Sequence, residues 1–491
     1  MNRLNRASGN TLAAGALAAV LAGPALAQND PALETRVREL EQELLLLKKQ
    51  MEGQTKVINE RVEKSEKMIT MKGPAPTFSS ADGQYTMTIT GRVHWDFAQF
   101  DQGNNTTIVN GVAQTQAVAA SENRRDLSSG NILRRARLGV NGKIDGDWGY
   151  EMILDAGDSE SGTVQIDQIW LSYEAIKPIV FTLGRHKTPN SFDELTSSND
   201  IPFLERSLGS NLATGPAGAK RVGFSAVGRN DWLWAGVGVF GGDWNVNDVD
   251  DQISFNGRVV VKPFATKDYG LHLGVSGYYL QNADTPQFGA VVTDTITFND
   301  RPEIRVEGAR WIQARSNFNS DQGYMLGAEV AGFYGPFWVN GEYYNFAFDQ
   351  ERNALFAVQP PEVSFDAYHI QAGWLITGET RGFSASRAAW AGIKPNDPLS
   401  LSTGGLGAWE LALRYSVADL NDEESNFIGT TLAGVRGGKE ENMTVGVNWW
   451  VNEYVAFKFN YIHADIDRRD LNNLQVGDTF NVYALRAQVK W

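Results

Sequence analysis

The sequence has no cysteine among its 491 residues. Disulfide scaffolds, thiol nucleophiles and thiolate metal sites are therefore excluded. Basic residues are outnumbered, 44 against 58 acids, for a formal net charge of −14. A nucleic-acid binder needs a basic stripe, so that partner class is set aside. Long apolar runs are missing as well. Mean hydropathy is −0.31, and beyond the first residues nothing approaches the run of about 18 apolar residues that a spanning helix needs. A polytopic helical membrane protein is excluded on that ground. A transmembrane β-barrel is not, because alternation hides its lipid face from a hydropathy window.

Marks of catalysis and of cofactor binding are equally sparse. The histidines, His94, His186, His272, His369 and His463, stand far apart without metal-ligand spacing. No G-x-S-x-G nucleophile elbow occurs. Gly236, Gly238 and Gly241 spell G-x-G-x-x-G, but Trp232, Trp234 and Phe240 around them alternate as a strand and no helix follows. Neither an enzyme nor a cofactor is expected. Apolar content of 42% with 21% charged residues is that of a folded chain. Its length implies several domains or one large all-β barrel.

The N-terminus reads as an export signal over residues 1–27. Arg3 and Arg6 supply the basic start, Leu12 to Ala22 the apolar core, and Ala25-Leu26-Ala27 the cleavage site. A helical repeat follows in a segment of 28–72. Leu33, Val37, Leu40, Leu44, Leu47 and Met51 form an a/d seam, and the flanking pairs Arg36/Glu41 and Glu43/Lys48 have opposite charge. This predicts a periplasmic parallel coiled coil; a single amphipathic helix is the alternative. Lys72-Gly73-Pro74-Ala75-Pro76 ends it, and 73–83 is expected to be a linker.

From residue 84 to 491 the period changes to two. Tyr85, Met87, Ile89, Gly91, Val93, Trp95 and Phe97 alternate with polar neighbours, and similar runs recur to the terminal Trp491. There are about 17 such runs, and an even number is needed to return both ends to one side. Assigning Ile304–Trp311 to a long loop leaves the prediction of an all-β, 16-stranded antiparallel transmembrane barrel in outer-membrane lipid. Short turns are expected at Asp145-Gly146, Lys177-Pro178, Gly228–Asp231, Pro263–Asp268, Gly335-Pro336 and Asn452-Glu453. The stretch 380–405 is too long for the turn side, and the sequence offers no account of it.

Lipid must face the apolar set, so its neighbours face the lumen. Inward bases are then Arg92, Arg135, Arg137, Lys143, Arg221, Arg258, Lys262, Arg414, Lys458, Arg486 and Lys490, against the acids Asp96, Glu151, Asp155, Glu329, Glu342 and Glu410. A net-positive lumen is predicted inside an acidic protein. The surplus acids fall in loops, among them Asp248, Asp250, Asp251, Asp422, Glu423 and Glu424. Each inward base has two readings of equal weight, guiding anions or bracing the wall against a lumenal acid.

Several stretches resemble the phosphate-selective porin O and P family. They include Arg134-Arg135-Ala136-Arg137, Gly184-Arg185 through Pro189 to Thr196-Ser197-Ser198, Arg301-Pro302-Glu303, and Gly335-Pro336 with Gly341-Glu342-Tyr343-Tyr344. The most specific are Trp409-Glu410-Leu411 with Arg414-Tyr415-Ser416, and Val445-Gly446-Val447-Asn448-Trp449-Trp450. The likeness covers about residues 80–491, departing in its terminal Trp491, where the family has Phe, and in the added coiled coil. It implies a homotrimeric outer-membrane channel whose third outer loop, here 187–217, folds into the pore and brings Arg206. Membership alone leaves phosphate selectivity open. The expectation is a passive porin for small anionic solutes such as phosphate or polyphosphate, guided by Arg92, Arg135, Arg137, Arg206, Arg221, Arg258, Arg414 and Lys458. The alternative is an anchor that tethers the envelope, through peptidoglycan, by its coiled coil.

Overall fold

The computed structural model describes residues 31–491 apart from 103–106, 110–111, 115–126, 159–162, 218, 243–251, 283–295, 297, 315–319, 321, 351–357, 430, 471–472 and 474. The expected signal at 1–27 and the loop acids Asp248, Asp250 and Asp251 lie outside the described residues. The chain divides into two units, Met1–Lys67 and Met68–Trp491.

The first unit carries the helix α1, Pro31–Met68. Proline is tolerated at a helix start, and Glu34 in the first turn faces the positive end of the helix dipole. The seam positions Val37, Leu40, Leu44, Leu47 and Met51 are each at least half exposed in the single chain.

The second unit is a closed antiparallel barrel of 16 strands. They are β1 Thr86–Gln102, β2 Gly130–Ile144, β3 Trp148–Asp155, β4 Gln165–Tyr173, β5 Ile179–Lys187 and β6 Lys220–Arg229. Then follow β7 Leu233–Gly241, β8 Ile253–Ala265, β9 Tyr269–Gln281, β10 Gly323–Tyr334 and β11 Phe337–Phe348. The last are β12 Val363–Leu375, β13 Ala408–Asp422, β14 Val435–Trp450, β15 Val455–Asp467 and β16 Thr479–Lys490. Each strand pairs with its sequence neighbour, and β16 closes on β1 from Phe480↔Gln102 to Lys490↔Arg92. Closure removes the edges that no membrane could satisfy. The period-two pattern is visible on β8, where Phe255 and Val259 point outward, both 46% exposed, while Ser254, Asn256 and Arg258 are buried within.

The segment 73–83 differs from the expected linker. Ile69–Lys72 and Ala75–Ser79 form a hairpin, and its second strand continues the sheet through Thr77↔Thr88 to Ser79↔Thr86 of β1. Gly73, at φ +71°, makes the turn that side-chain-bearing residues resist. The prolines do not prevent the pairing because this hairpin is short and peripheral.

Among the described residues, three connections fold into the barrel. The first, 188–219, carries α2 Phe192–Leu195 and α3 Leu208–Thr214, capped by Ser191 and Ser207. The second is the described part of the β9–β10 connection, in which Phe298, Ile304, Trp311 and Ile312 are buried. The third, 376–407, contains the stretch 380–405 that the sequence left without an account; its Ala388, Ala389 and Trp390 are at most 1% exposed. Apolar side chains that cannot face water thus explain its length. Phe192, Phe383, Trp390 and Trp338 stack there into one aromatic cluster.

Candidate functional site

The inserted loop 188–219 is strapped to the inner wall. Arg486 on β16 pairs with Asp96 at 2.6 Å and Glu205 at 2.9 Å, and donates to the Leu204 carbonyl at 2.5 Å. Asn448 donates to Pro202 O at 2.7 Å, Lys458 to Ile201 O at 2.6 Å, and Arg381 to Asp200 O at 2.7 Å. Glu342 accepts from the Phe192 and Asp193 amides at 2.7 and 3.0 Å. These bonds hold the loop to β11 and β14 to β16, and space remains beside β1 to β6.

Two cavities run along that wall. One of about 510 Å³ lies against the loop. The other, of about 540 Å³, reaches Gly73, Tyr454 and Trp491. Arg92, Arg137, Glu151 and Ile153 line both, so the cavities meet at these side chains. The first is bordered by eight bases, Arg92, Arg134, Arg135, Arg137, Lys187, Arg206, Lys220 and Arg387, and by two acids, Glu151 and Glu194.

Seven of these bases have a carboxylate within 4 Å. Arg134 pairs with Glu205 and Asp158, at 2.8 and 3.1 Å. Arg135 lies 3.7 Å from Glu205, and Arg137 lies 2.6 Å from Asp155 and 2.9 Å from Asp167. Lys220 bonds Asp167, and Arg387 lies 3.7 Å from Asp200. Lys187 and Arg206 both reach Glu194 at 3.0 Å. Arg92 is the exception: its contact is a hydrogen bond to Ser198 Oγ at 2.9 Å. Burial alone would raise the loop carboxyls. The arginines around Glu205 outweigh it and hold that group well below the usual range, and Arg206 and Lys187 do the same, less strongly, for Glu194.

Of the sequence-predicted residues, the structure brings together Arg92, Arg135, Arg137 and Arg206 at the first cavity. Arg206 also donates to the carbonyls of Asp193, Glu194 and Thr196, knitting its own loop. Arg221 lies on the inner wall opposite His186, off both cavities. Arg258, Arg414 and Lys458 are sealed under the inserted connections. Arg258 holds Glu329 at 2.7 Å and the Arg387 and Ala388 carbonyls. Arg414 holds Glu303 and lies over the Phe203 ring, and Lys458 lies over Trp450.

Arg134, Lys187, Lys220 and Arg387 were not legible by alternation. A β-bulge explains the first: His94 pairs with Arg135 and Trp95 with Leu133, so Arg134 is the extra residue and turns inward. A second bulge does the same for Asp167, between Gln168 and Ile166. The signal was present in Arg134-Arg135, since two adjacent arginines cannot obey alternation without one facing lipid. Lys187 and Lys220 stand opposite each other where the loop leaves and rejoins the wall. Arg387 lies on the third inserted connection.

A family model described as phosphate-selective porin O and P matches residues 87–491. The chain is 25% identical over 413 residues to Porin O of Pseudomonas aeruginosa, covering 80% of this chain and 86% of that protein. It is 26% identical over 422 residues to an uncharacterized protein of Caulobacter vibrioides, covering 84% and 74%. Among solved structures, an anion-selective porin from Comamonas acidovorans superposes with a TM-score of 0.48 at 12% identity, covering 83% of this chain and 100% of that one. The outer membrane channel DcaP of Acinetobacter baumannii gives 0.47 at 12% identity, covering 84% and 99%.

Proposed function

The chain belongs to the phosphate-selective porin O and P family, and from that premise we propose that it conducts small anions, phosphate among them, through the basic passage beside β1 to β6. It is an outer-membrane channel rather than an enzyme. The observation that carries the anion preference is the lining of the first cavity, eight bases against two acids. Such a field concentrates counter-ions in a narrow low-dielectric passage. Arg92 is the primary contact because, among the described residues, no carboxylate lies within 4 Å of its guanidinium, and its planar fork matches two oxygens of an oxyanion. Arg135 and Arg137 add to the field, partly offset by Glu205, Asp155 and Asp167. Arg206 holds the loop that narrows the passage. Arg258 and Arg414, neutralised by Glu329 and Glu303, brace the wall, while Arg221 and Lys458 add charge from outside the two cavities.

Single-channel current in KCl with added phosphate tests this reading. Phosphate block that weakens in Arg92→Gln supports it; a current indifferent to phosphate in both proteins contradicts it.

We further propose a homotrimer, with α1 as a parallel coiled coil in the periplasm after removal of residues 1–27. The exposed Val37–Met51 seam supports it, since three copies of the same stripe cover one another. Tethering to peptidoglycan is a separate proposal for the same segment. Deleting residues 28–72 separates the two roles: conduction persists and envelope integrity falls if α1 is a tether.

A further inference from the structure

A cluster that permeation does not use lies deeper in the barrel. Glu342 on β11 and His369 on β12 are direct cross-strand partners, and α2 of the inserted loop brings Asp193 against them. One ligand-type atom from each lies within 4.8 Å of the others. The three residues are 2% to 4% exposed.

Charge at this cluster does not balance. Elsewhere in the lumen, buried Glu329 holds Arg258, Glu410 holds Arg381, and Glu205 holds Arg134 and Arg486. Among the described residues Asp193 has no ion pair, and the basic group paired with Glu342 is His369 Nε2, 3.8 Å away. That imidazole is fixed as neutral by its neighbours. Asn340 Oδ1 accepts from Trp390 Nε1 at 2.9 Å and from Gln371 at 3.0 Å. The indole N–H can only donate, so the Asn340 amide orientation is settled and its NH₂ faces His369 Nε2, at 3.3 Å. Nε2 therefore carries the ring's lone pair, which accepts from that NH₂ and turns to a cation only when this bond is given up, and Nδ1, which bears the proton, has no hydrogen-bond partner among the described residues. Two buried carboxylates and a nitrogen lone pair converge with no positive charge among them. The Asp193 hydrogen bonds, from Ser207 N and Oγ, both fall on Oδ2, which leaves Oδ1 to a ligand.

We propose that Asp193, Glu342 and His369 bind one divalent transition-metal cation that pins α2 of the inserted loop to β11 and β12. One nitrogen and two carboxylates suit Zn²⁺ or Mn²⁺ better than Mg²⁺ or Ca²⁺, which take oxygen-only shells. With bonds of about 2.0–2.2 Å, three ligand atoms around one ion lie about 3–3.7 Å apart, so the cluster, whose atoms are within 4.8 Å of one another, closes by about 1 Å on binding. The ligands lie 149 and 176 residues apart in sequence, between Asp193 and Glu342 and between Asp193 and His369, which is why spacing motifs are silent on them.

The test uses untagged full-length protein in detergent, stripped with EDTA and titrated with ZnCl₂ and with MnCl₂ by calorimetry. The expected result is one saturable equivalent of either metal per chain and a rise in the thermal unfolding midpoint. Both effects are lost in His369→Gln and in Asp193→Asn. Absence of saturable binding by wild-type protein overturns the proposal, as does saturable binding that survives both substitutions. If a variant fails to fold, the wild-type stoichiometry alone decides.

Discussion

At the residue scale, function turns on which bases keep their charge available. Arg92 and Arg137 sit opposite each other on β1 and β2 and line the same two cavities, yet among the described residues Arg137 is held by two aspartates and Arg92 by none. Replacing Arg92 with Gln removes about 1 kcal/mol of attraction for an anion at contact distance, roughly a fivefold loss of occupancy. Arg137→Gln is expected to do less, and reversal potentials of the two variants check the order. Buried bases behave differently. Arg414→Ala leaves buried Glu303 without its ion pair, expected to cost about 3–5 kcal/mol; thermal unfolding would show a large fall with the wall otherwise intact. Alternation in the sequence was enough to send Arg92, Arg135, Arg137, Arg258 and Arg414 inward. It hinted at Arg134 only through the adjacent pair Arg134-Arg135 and carried no sign of Asp167, because a bulge changes the side-chain period by one residue without any residue type that demands it.

At the element scale, the inserted connections decide where the lumen stays open. The strands were legible because one face of each must be apolar for lipid, and the turns because Gly and Pro mark them. The inward folding of 376–407 was not, because its buried Trp390 and Arg381 depend on partners, Asn340 and Glu410, on other strands. Shortening 382–392 to a Gly–Ser turn is expected to raise single-channel conductance by clearing the aromatic cluster from the lumen. Electrostatics hold the inserted loop 188–219. Glu194 and Glu205 have folded pKa values below their ordinary 4.5. Their stabilising contribution is therefore full above about 4.5 and lost as pH falls through the depressed folded values. Conductance is expected to be steady from neutral pH down to about 5 and to become noisy below about 4.5, as the loop loosens; a change centred near pH 7 would contradict that assignment.

At the scale of the whole molecule, the chain joins a seam-bearing helix to an acidic protein with a basic interior. The change of period from 3.5 to 2 near residue 84 made that division readable before any coordinates. The hairpin at 69–79 was hidden by its prolines, which argue against a strand unless it is peripheral. Association follows from the exposed seam: native mass spectrometry of the detergent-solubilised protein is expected to give three subunits, and Leu44→Asp to weaken the association. A mass of two subunits would contradict it. The central claim, that the passage prefers anions although the protein is acidic, is tested most directly by the zero-current potential of purified channels in a planar bilayer under a KCl gradient. The expected potential is chloride-directed and shrinks in Arg92→Gln. A cation-directed potential would mean that the loop acids dominate the field and that the arginines along β1 and β2 only brace the wall.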